Sequence, residues 1–214
     1  MKIVHKHGVG EIVEKKSRFI ANVFPVRDEE DVTKYLEEIR KKHYDARHNC
    51  FAYVIGEKNE VMRCSDDGEP SGTAGRPMLE VILGEEIHDV LVVVTIYFGG
   101  TLLGTGGLVR AYSAAVKEGF SKSEIVERYT GKKLSIETDY NGIGKLQYLM
   151  NQYNIVELST DYTDTVVVTA LAPLDTLSRF ENEVRDYSGG KTAVEVLEDV
   201  YYGEIQGETK VWTC

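Results

Sequence analysis

The sequence predicts an α+β protein of two domains, and three observations support this. The elements expected between residues 134 and 202 follow the order β-α-β-β-α-β, which is the split pattern of ferredoxin-like domains. Residues 90–98 form a continuous valine-rich apolar run, as expected of a central strand. The 214 residues, 42% hydrophobic and 28% charged, have the composition of a globular chain of one or two domains. We therefore expect domains at residues 1–131 and 132–214.

The first half of the first domain reads as strands around one helix. Residues 8–14 and 17–24 alternate in polarity and predict two strands joined by a Lys-Lys turn. Residues 28–43 predict an amphipathic helix with four acids in its first turn. Residues 50–55 predict a buried strand, and residues 60–64 its hairpin partner.

The second half of this domain holds the central strand and three predicted helices. The first helix ends at Gly84 and has Thr73 as its candidate N-cap. After the strand over residues 90–98, helices are predicted over residues 107–118 and 123–129.

The second domain accounts for the remaining six predicted elements. Strands are expected over residues 134–140, 155–160, 165–171 and 193–202, and helices over residues 142–152 and 174–186.

The charge distribution limits what the surface can bind. The net charge of −10 argues against non-specific nucleic-acid binding by the whole protein. Residues 1–131 carry 18 Lys and Arg against 21 Asp and Glu, whereas residues 132–214 carry 7 against 14. A local basic patch is therefore expected in the first domain, and the acidic second domain is suited to a basic partner.

Cysteine use and hydropathy predict a cytoplasmic protein. Cys50, Cys64 and Cys214 form no C-x-x-C pair, which predicts neither a disulfide framework nor a zinc site. No apolar run approaches the roughly 18 residues of a membrane span. The N-terminal residues lack the apolar region of a signal peptide, so neither membrane insertion nor secretion is expected.

Two turn-rich stretches, residues 65–77 and 97–110, carry the densest chemistry. Each leads into a predicted helix that begins with small residues, so its backbone N–H groups and helix dipole favour an anion. Glycine also permits the alternative, a tight strand-to-helix connection that only allows close packing. If both stretches meet on one exposed surface, that surface is suited to phosphate or nucleic acid.

The candidate residues form two groups. Those expected to bind an anion or nucleic acid are Arg76, Tyr97, Gly99, Gly100, Gly104, Gly106, Gly107 and Arg110. Those expected on the first loop's surface are Ser65, Asp66, Asp67, Glu69, Ser71 and Thr73. Strand alternation favours an exposed Tyr97, able to stack on bases, and a buried Phe98. Arg110 has a structural alternative, a salt bridge to one of the first loop's acids.

Metal and catalytic interpretations are weaker. Asp66 and Asp67 are the candidate ligands if a Mg²⁺ ion binds, but an Asp-Gly turn with solvated acids explains the same residues. Cys50 and His48 suggest a thiol nucleophile, yet Cys50 lies in an apolar run typical of a core residue. No catalytic residue and no cofactor is assigned.

Three segments of the chain resemble the YigZ/IMPACT family. They are H-Y-D-A-R-H-N-C-F-A-Y-V-I at residues 43–55, S-D-D-G-E-P-S-G-T-A-G-R-P at residues 65–77, and Y-F-G-G-T-L-L-G-T-G-G-L-V-R-A-Y at residues 97–112. The resemblance implies a first domain of the ribosomal-protein-S5 domain-2-like type. It also implies that the ferredoxin-like second domain is similar to the last domain of elongation factor G.

The resemblance implies a role linked to translation. Eukaryotic relatives restrain a stress kinase that phosphorylates an initiation factor, so we expect a regulator that contacts RNA or a ribosome-associated protein through the first domain's loops. The chain departs from the family pattern at Ile96, where an arginine is usual, and at Leu102, where a lysine is common. Two fewer cations predict a shallower salt dependence of RNA binding.

An enzyme is the alternative function. The first domain's expected fold type also includes small-molecule kinases. If this chain were such an enzyme, residues 104–107 would hold the nucleotide phosphates and Asp66 or Asp67 would hold Mg²⁺.

Overall fold

The computed structural model describes residues 1–213 and confirms the α+β class. The strands are β1 (Lys2–Lys6), β2 (Gly8–Glu14), β3 (Ser17–Pro25), β4 (His48–Ile55), β5 (Val61–Ser65), β6 (Ile87–His88), β7 (Val90–Tyr97), β8 (Glu124–Glu127), β9 (Tyr129–Thr138), β10 (Val156–Tyr162), β11 (Val166–Pro173), β12 (Ala193–Ile205) and β13 (Glu208–Thr213). The helices are α1 (Glu29–Lys42), α2 (Gly75–Gly84), α3 (Thr105–Ser121), α4 (Ile143–Gln152) and α5 (Leu174–Ser188).

The chain divides into two compact units, Met1–Glu127 and Arg128–Cys214. The predicted boundary at residue 131 falls inside β9, because the segment expected to link the domains is instead the first part of that strand. No helix in the described part of the chain is both long enough and apolar enough to cross a bilayer.

The first unit is built on a five-stranded antiparallel sheet with the strand order β2-β3-β7-β4-β5. Helices α2 and α3 cover one face, where Phe19, Met78 and Tyr112 are fully buried. Helix α1 covers the other face through Val32, Leu36 and Ile39. Because both faces are covered, every residue of β7 from Val90 to Ile96 is buried, as its continuous apolar run predicts.

A second, three-stranded sheet in this unit was missed by the sequence analysis. Its order is β6-β1-β8, and β8 pairs antiparallel with β1. The helix predicted over residues 123–129 is therefore wrong. Strand β1 supplies ladder partners to this short segment, and long-range pairing overrides a weak local preference.

The second unit contains one antiparallel sheet with the order β10-β11-β9-β12-β13. Helices α4 and α5 pack on it around Leu146, Leu149 and Phe180. The elements from β9 to β12 follow the predicted β-α-β-β-α-β order, and β13 is an additional edge strand. The assignment of either unit to a named fold type stays a prediction.

Candidate nucleic-acid interface

The two turn-rich loops meet on one side of the first unit, where they line a groove of about 460 Å³. We call it the loop groove. The first loop contributes Gly68, Glu69 and Pro70, and the second contributes Phe98, Leu102, Leu103, Gly104 and Thr105. Arg47 and His48, at the start of β4, complete the rim together with Ile96 and Leu108. The loops thus form a common surface, as the sequence analysis required.

The first loop is held by the Asp66 carboxylate. Its Oδ2 accepts the Gly72 N–H at 2.8 Å, and its Oδ1 accepts the N–H groups of Ala74 and Gly75 at 3.0 and 2.8 Å. Burial alone would raise the pKa of Asp66, but these three hydrogen bonds together outweigh it and lower the pKa. The start of α2 therefore receives its negative charge from the chain itself.

The N-cap prediction at Thr73 is wrong for the same reason. The residue at the cap position of α2 is Ala74, and the buried Thr73 hydroxyl donates to the Pro70 carbonyl oxygen at 2.6 Å. Asp66, which precedes the cap position by eight residues, accepts the N–H groups that an N-cap side chain usually accepts. The Ser65 hydroxyl accepts the Asp67 N–H at 3.2 Å, whereas Ser71 is exposed.

The remaining acids of this loop also have partners within the chain. Asp67 Oδ2 accepts the Asn49 N–H at 2.7 Å, and Oδ1 lies 4.0 Å from Arg40 Nη2. Glu69 Oε1 accepts the Tyr112 hydroxyl at 3.0 Å. Among the described residues, no group of three or more His, Cys, Asp or Glu side chains is arranged to hold a metal ion. Asp66 and Asp67 thus serve the loop's own structure.

The second loop leaves β7 and is anchored at Gly99. A Cβ at Gly99 would collide with the backbone of Lys16 and Ser17, so only glycine allows the loop to lie against the β2–β3 turn. The Gly99 N–H donates to Ser17 Oγ at 3.0 Å. The loop ends at Gly104, the N-cap residue of α3, where the structure shows neither a capping side chain nor an acid in the first turn. The start of α3 therefore differs from that of α2, because it keeps its positive potential.

The predicted burial of Phe98 is wrong, and Tyr97 is less exposed than predicted. Tyr97 is half-buried, and its hydroxyl donates to Asp45 Oδ1 at 3.1 Å and lies 3.0 Å from His43 Nδ1. Phe98 is 41% exposed and lines the loop groove. Because Phe98 follows the last residue of β7, the pleat of the strand no longer fixes its direction.

Phe98 and Arg47 place an aromatic ring and a cation side by side in the groove. The Arg47 guanidinium carbon lies 5.7 Å from the centre of the Phe98 ring, a cation–π distance. Leu102, 83% exposed, extends the apolar surface. His48 Nδ1 lies 2.7 Å from the Asp67 carbonyl oxygen, which can only accept, so Nδ1 is the donor of this hydrogen bond.

The other candidate residues are separated by the fold. Arg76 forms an exposed ion pair with Glu80 at 3.0 Å and lies outside the groove lining. Arg110 and Gly107 line a different, adjoining pocket. Among the described residues, no ion pair joins Arg110 to the acids of the first loop. Gly100 and Gly106 are exposed along the second loop and the first turn of α3. Arg47 and Phe98, which line the groove, are not among the candidate residues of the sequence analysis, although both lie in the segments that carry the family resemblance.

The thiol-nucleophile interpretation is not supported. Cys50 is fully buried, donates to the Asp66 carbonyl oxygen at 3.0 Å and lies 3.3 Å from the Tyr112 hydroxyl oxygen. Burial raises the pKa of Cys50 to about 12. A protonated, enclosed thiol is a core residue and not a nucleophile.

We predict that native Cys50 is inert to thiol reagents. In a Cys64→Ser, Cys214→Ser variant, which leaves Cys50 as its one thiol, a chromogenic disulfide at about pH 8 should titrate no thiol in the folded protein and one in urea. Cys64, which is exposed, should react in the native wild type; Cys214 lies outside the described residues. Rapid native labelling of the double variant would contradict the burial of Cys50.

The fold and the groove place this chain in a class of α+β proteins with two units. In the first unit of such a protein, two glycine-containing loops line one groove. Residues 15–120 match the model of the Impact N-terminal domain, and residues 136–191 match that of a domain of unknown function (DUF1949). The chain belongs to the IMPACT family, which confirms the resemblance seen in its motifs.

Named relatives cover most of the chain. It is 37% identical over 198 residues to IMPACT family member YvyE of Bacillus subtilis, spanning 92% of this chain and 91% of that protein. It is 32% identical to IMPACT family member YigZ of Escherichia coli, spanning 86% and 92%. Protein IMPACT-B of Xenopus tropicalis is 34% identical over 55% of this chain and 39% of that protein. A solved structure titled "Crystal structure of an hypothetical protein" has a TM-score of 0.58 at 30% identity, covering 92% of this chain and 97% of that one.

Proposed function

We propose that this protein is a translation-linked regulator that binds RNA through the loop groove of its first unit. The translation link rests on membership of the IMPACT family and on the role that the resemblance implies for eukaryotic relatives. The binding mode rests on one observation: the groove joins an exposed aromatic ring, a cation and an uncapped helix start. Aromatic rings stack on unpaired bases, and cations and helix N-termini attract phosphate.

The alternative kinase-like function has less support. Such a site needs carboxylates that hold Mg²⁺ beside the glycine loop. Asp66 accepts three backbone N–H groups, and Asp67 accepts one and lies near Arg40. Both carboxylates would have to leave the structure that they hold before they could bind a metal.

We predict that Phe98→Ala weakens the binding of single-stranded RNA about tenfold, because one stacked base contributes roughly 1–3 kcal/mol. The loss should be the same at low and high salt, since no charge is removed. Fluorescence anisotropy with single-stranded and hairpin RNA at two salt concentrations measures it. Tyr148→Ala, which removes an exposed ring from α4 in the second unit, is the matched control and should bind as wild type does.

Wild-type protein that binds no RNA at any salt concentration would refute RNA binding. If that protein nevertheless co-sediments with ribosomes, the groove's partner is a ribosome-associated protein instead. Equal affinities of wild type and Phe98→Ala would place the RNA elsewhere on the surface.

A further inference from the structure

A second pocket, of about 260 Å³, lies beside the loop groove. We call it the basic pocket. Lys15, in the β2–β3 turn, and Arg110, on α3, line it together with Glu14 and the small residues Gly107 and Ala111. Within the described residues, the side chains of Lys15 and Arg110 take part in no hydrogen bond or ion pair. Two unpaired cations therefore face one acid here, in a chain that carries a net negative charge.

The turn that supplies Lys15 has an unusual sequence for its backbone. Glu14 pairs with Ser17 across β2 and β3, so Lys15 and Lys16 form a two-residue hairpin loop. Both have positive φ, 47° and 67°, the conformation of a type I′ turn, which strongly prefers Asn-Gly. Lysine in the left-handed region costs roughly 1–2 kcal/mol per residue. Strain of this kind, held at a position that presents charge, indicates a functional use of that charge.

The two pockets adjoin at Leu103, which lines both. Gly99 packs on the Lys16 backbone and so holds the second loop, here also called the glycine loop, against the Lys15–Lys16 turn, the lysine turn. A ligand with an apolar ring in the loop groove would therefore extend past Leu103 to reach Lys15 and Arg110. A nucleotide combines these two features, since its base is an aromatic ring and its phosphodiester carries the negative charge that Lys15 and Arg110 attract.

We propose that the basic pocket binds the backbone phosphate next to a base held in the loop groove, so that the ligand is single-stranded RNA. This inference rests on the proposed function and specifies its ligand. A duplex is excluded, since its bases are paired and stacked and cannot reach Phe98. The cations that the family pattern would place at positions 96 and 102 are replaced here by a buried Ile96 and an exposed Leu102. Lys15 and Arg110 supply the charge from the other side of the loop.

The test is the salt dependence of binding to hexauridylate by Lys15→Gln and Arg110→Gln. Each lost phosphate contact should reduce the slope of log K against log salt by about 0.7, the value for single strands. Lys117→Gln removes an equal charge from an exposed position on the same helix and should leave the slope unchanged. Phe98→Ala should lower affinity without changing the slope, and an RNA duplex of the same length should bind at least tenfold more weakly than hexauridylate.

The outcomes separate this inference from the proposed function. If wild type binds hexauridylate but Lys15→Gln and Arg110→Gln keep its slope, the basic pocket is not a phosphate site, although RNA binding stands. If the duplex binds as tightly as the single strand, the single-strand assignment fails. If wild type binds neither RNA, both proposals fail together.

Discussion

Replacing Asp66 with alanine should lower the free energy of unfolding by about 3–4 kcal/mol and abolish the loop groove. The carboxylate accepts three backbone hydrogen bonds at 2.8–3.0 Å, from Gly72, Ala74 and Gly75. At this half-buried carboxylate the three hydrogen bonds contribute roughly 1–1.5 kcal/mol each. The N–H groups left behind lie at the start of a helix that has no other side-chain cap. Urea unfolding followed by circular dichroism, with hydrogen exchange at these three amides, measures the effect.

Asp139→Ala is the matched control in the second unit. Asp139 Oδ1 accepts a single N–H, that of Gly142 before α4, so its loss should cost only about 1 kcal/mol. It should also leave RNA binding intact. If Asp66→Ala were no more destabilised than Asp139→Ala, the three-bond arrangement would not be what holds the first loop.

The same site predicts a pH dependence with a definite sign. The folded state lowers the pKa of Asp66 below its ordinary 3.8 because three amide hydrogen bonds outweigh the effect of burial. Its contribution to stability is therefore complete above that value and is lost as the pH falls through the lower, folded-state pKa. Asp66→Asn cannot ionise, so its stability should lack this part of the acid loss. The free energies of unfolding of wild type and variant, measured in urea, should approach each other as the pH falls through that lower pKa.

Local patterns were sufficient where structure depends on nearby residues. The acidic first turn and apolar stripe of α1 predicted a helix, and the Asp28 carboxylate caps it by accepting the N–H groups of Glu30 and Asp31. The valine run of β7 predicted a strand buried on both faces. For α1, the capping partners are only a few residues apart in the chain. For β7, both faces are buried, so the direction of each side chain does not matter.

The site was predicted less well because its parts come from distant segments. Composition identifies the two loops, but the sequence pattern alone suits Asp66 to a metal ion or to solvent. Only the folded loop brings three backbone N–H groups to its carboxylate. Phe98 lies one residue past β7, where alternation gives no direction. The sequence places Lys15 in a turn but gives no partner for it, because only the packing of Gly99 on that turn brings Lys15 beside the second loop.

Gly99→Ala is expected to cost about 2 kcal/mol of stability and to weaken RNA binding more than tenfold. The new methyl group would overlap backbone atoms of Lys16 and Ser17, which cannot rotate away as a flexible side chain can. Relief requires the glycine loop to separate from the lysine turn, and this breaks the Gly99–Ser17 hydrogen bond and pulls the loop groove apart from the basic pocket. RNA binding weakens because one strand can no longer make the base and phosphate contacts together.

Gly84→Ala provides the control for this substitution. Gly84 is the last residue of α2, has open space where a Cβ would lie, and should accept alanine with a neutral or slightly stabilising effect. Thermal unfolding and hexauridylate titration of both variants distinguish packing from binding. If Gly99→Ala is destabilised but keeps wild-type affinity and salt slope, then one ligand does not occupy the loop groove and the basic pocket together. If it loses affinity and its salt slope falls to that of Arg110→Gln, the contact between loop and turn is what lets one strand reach both pockets.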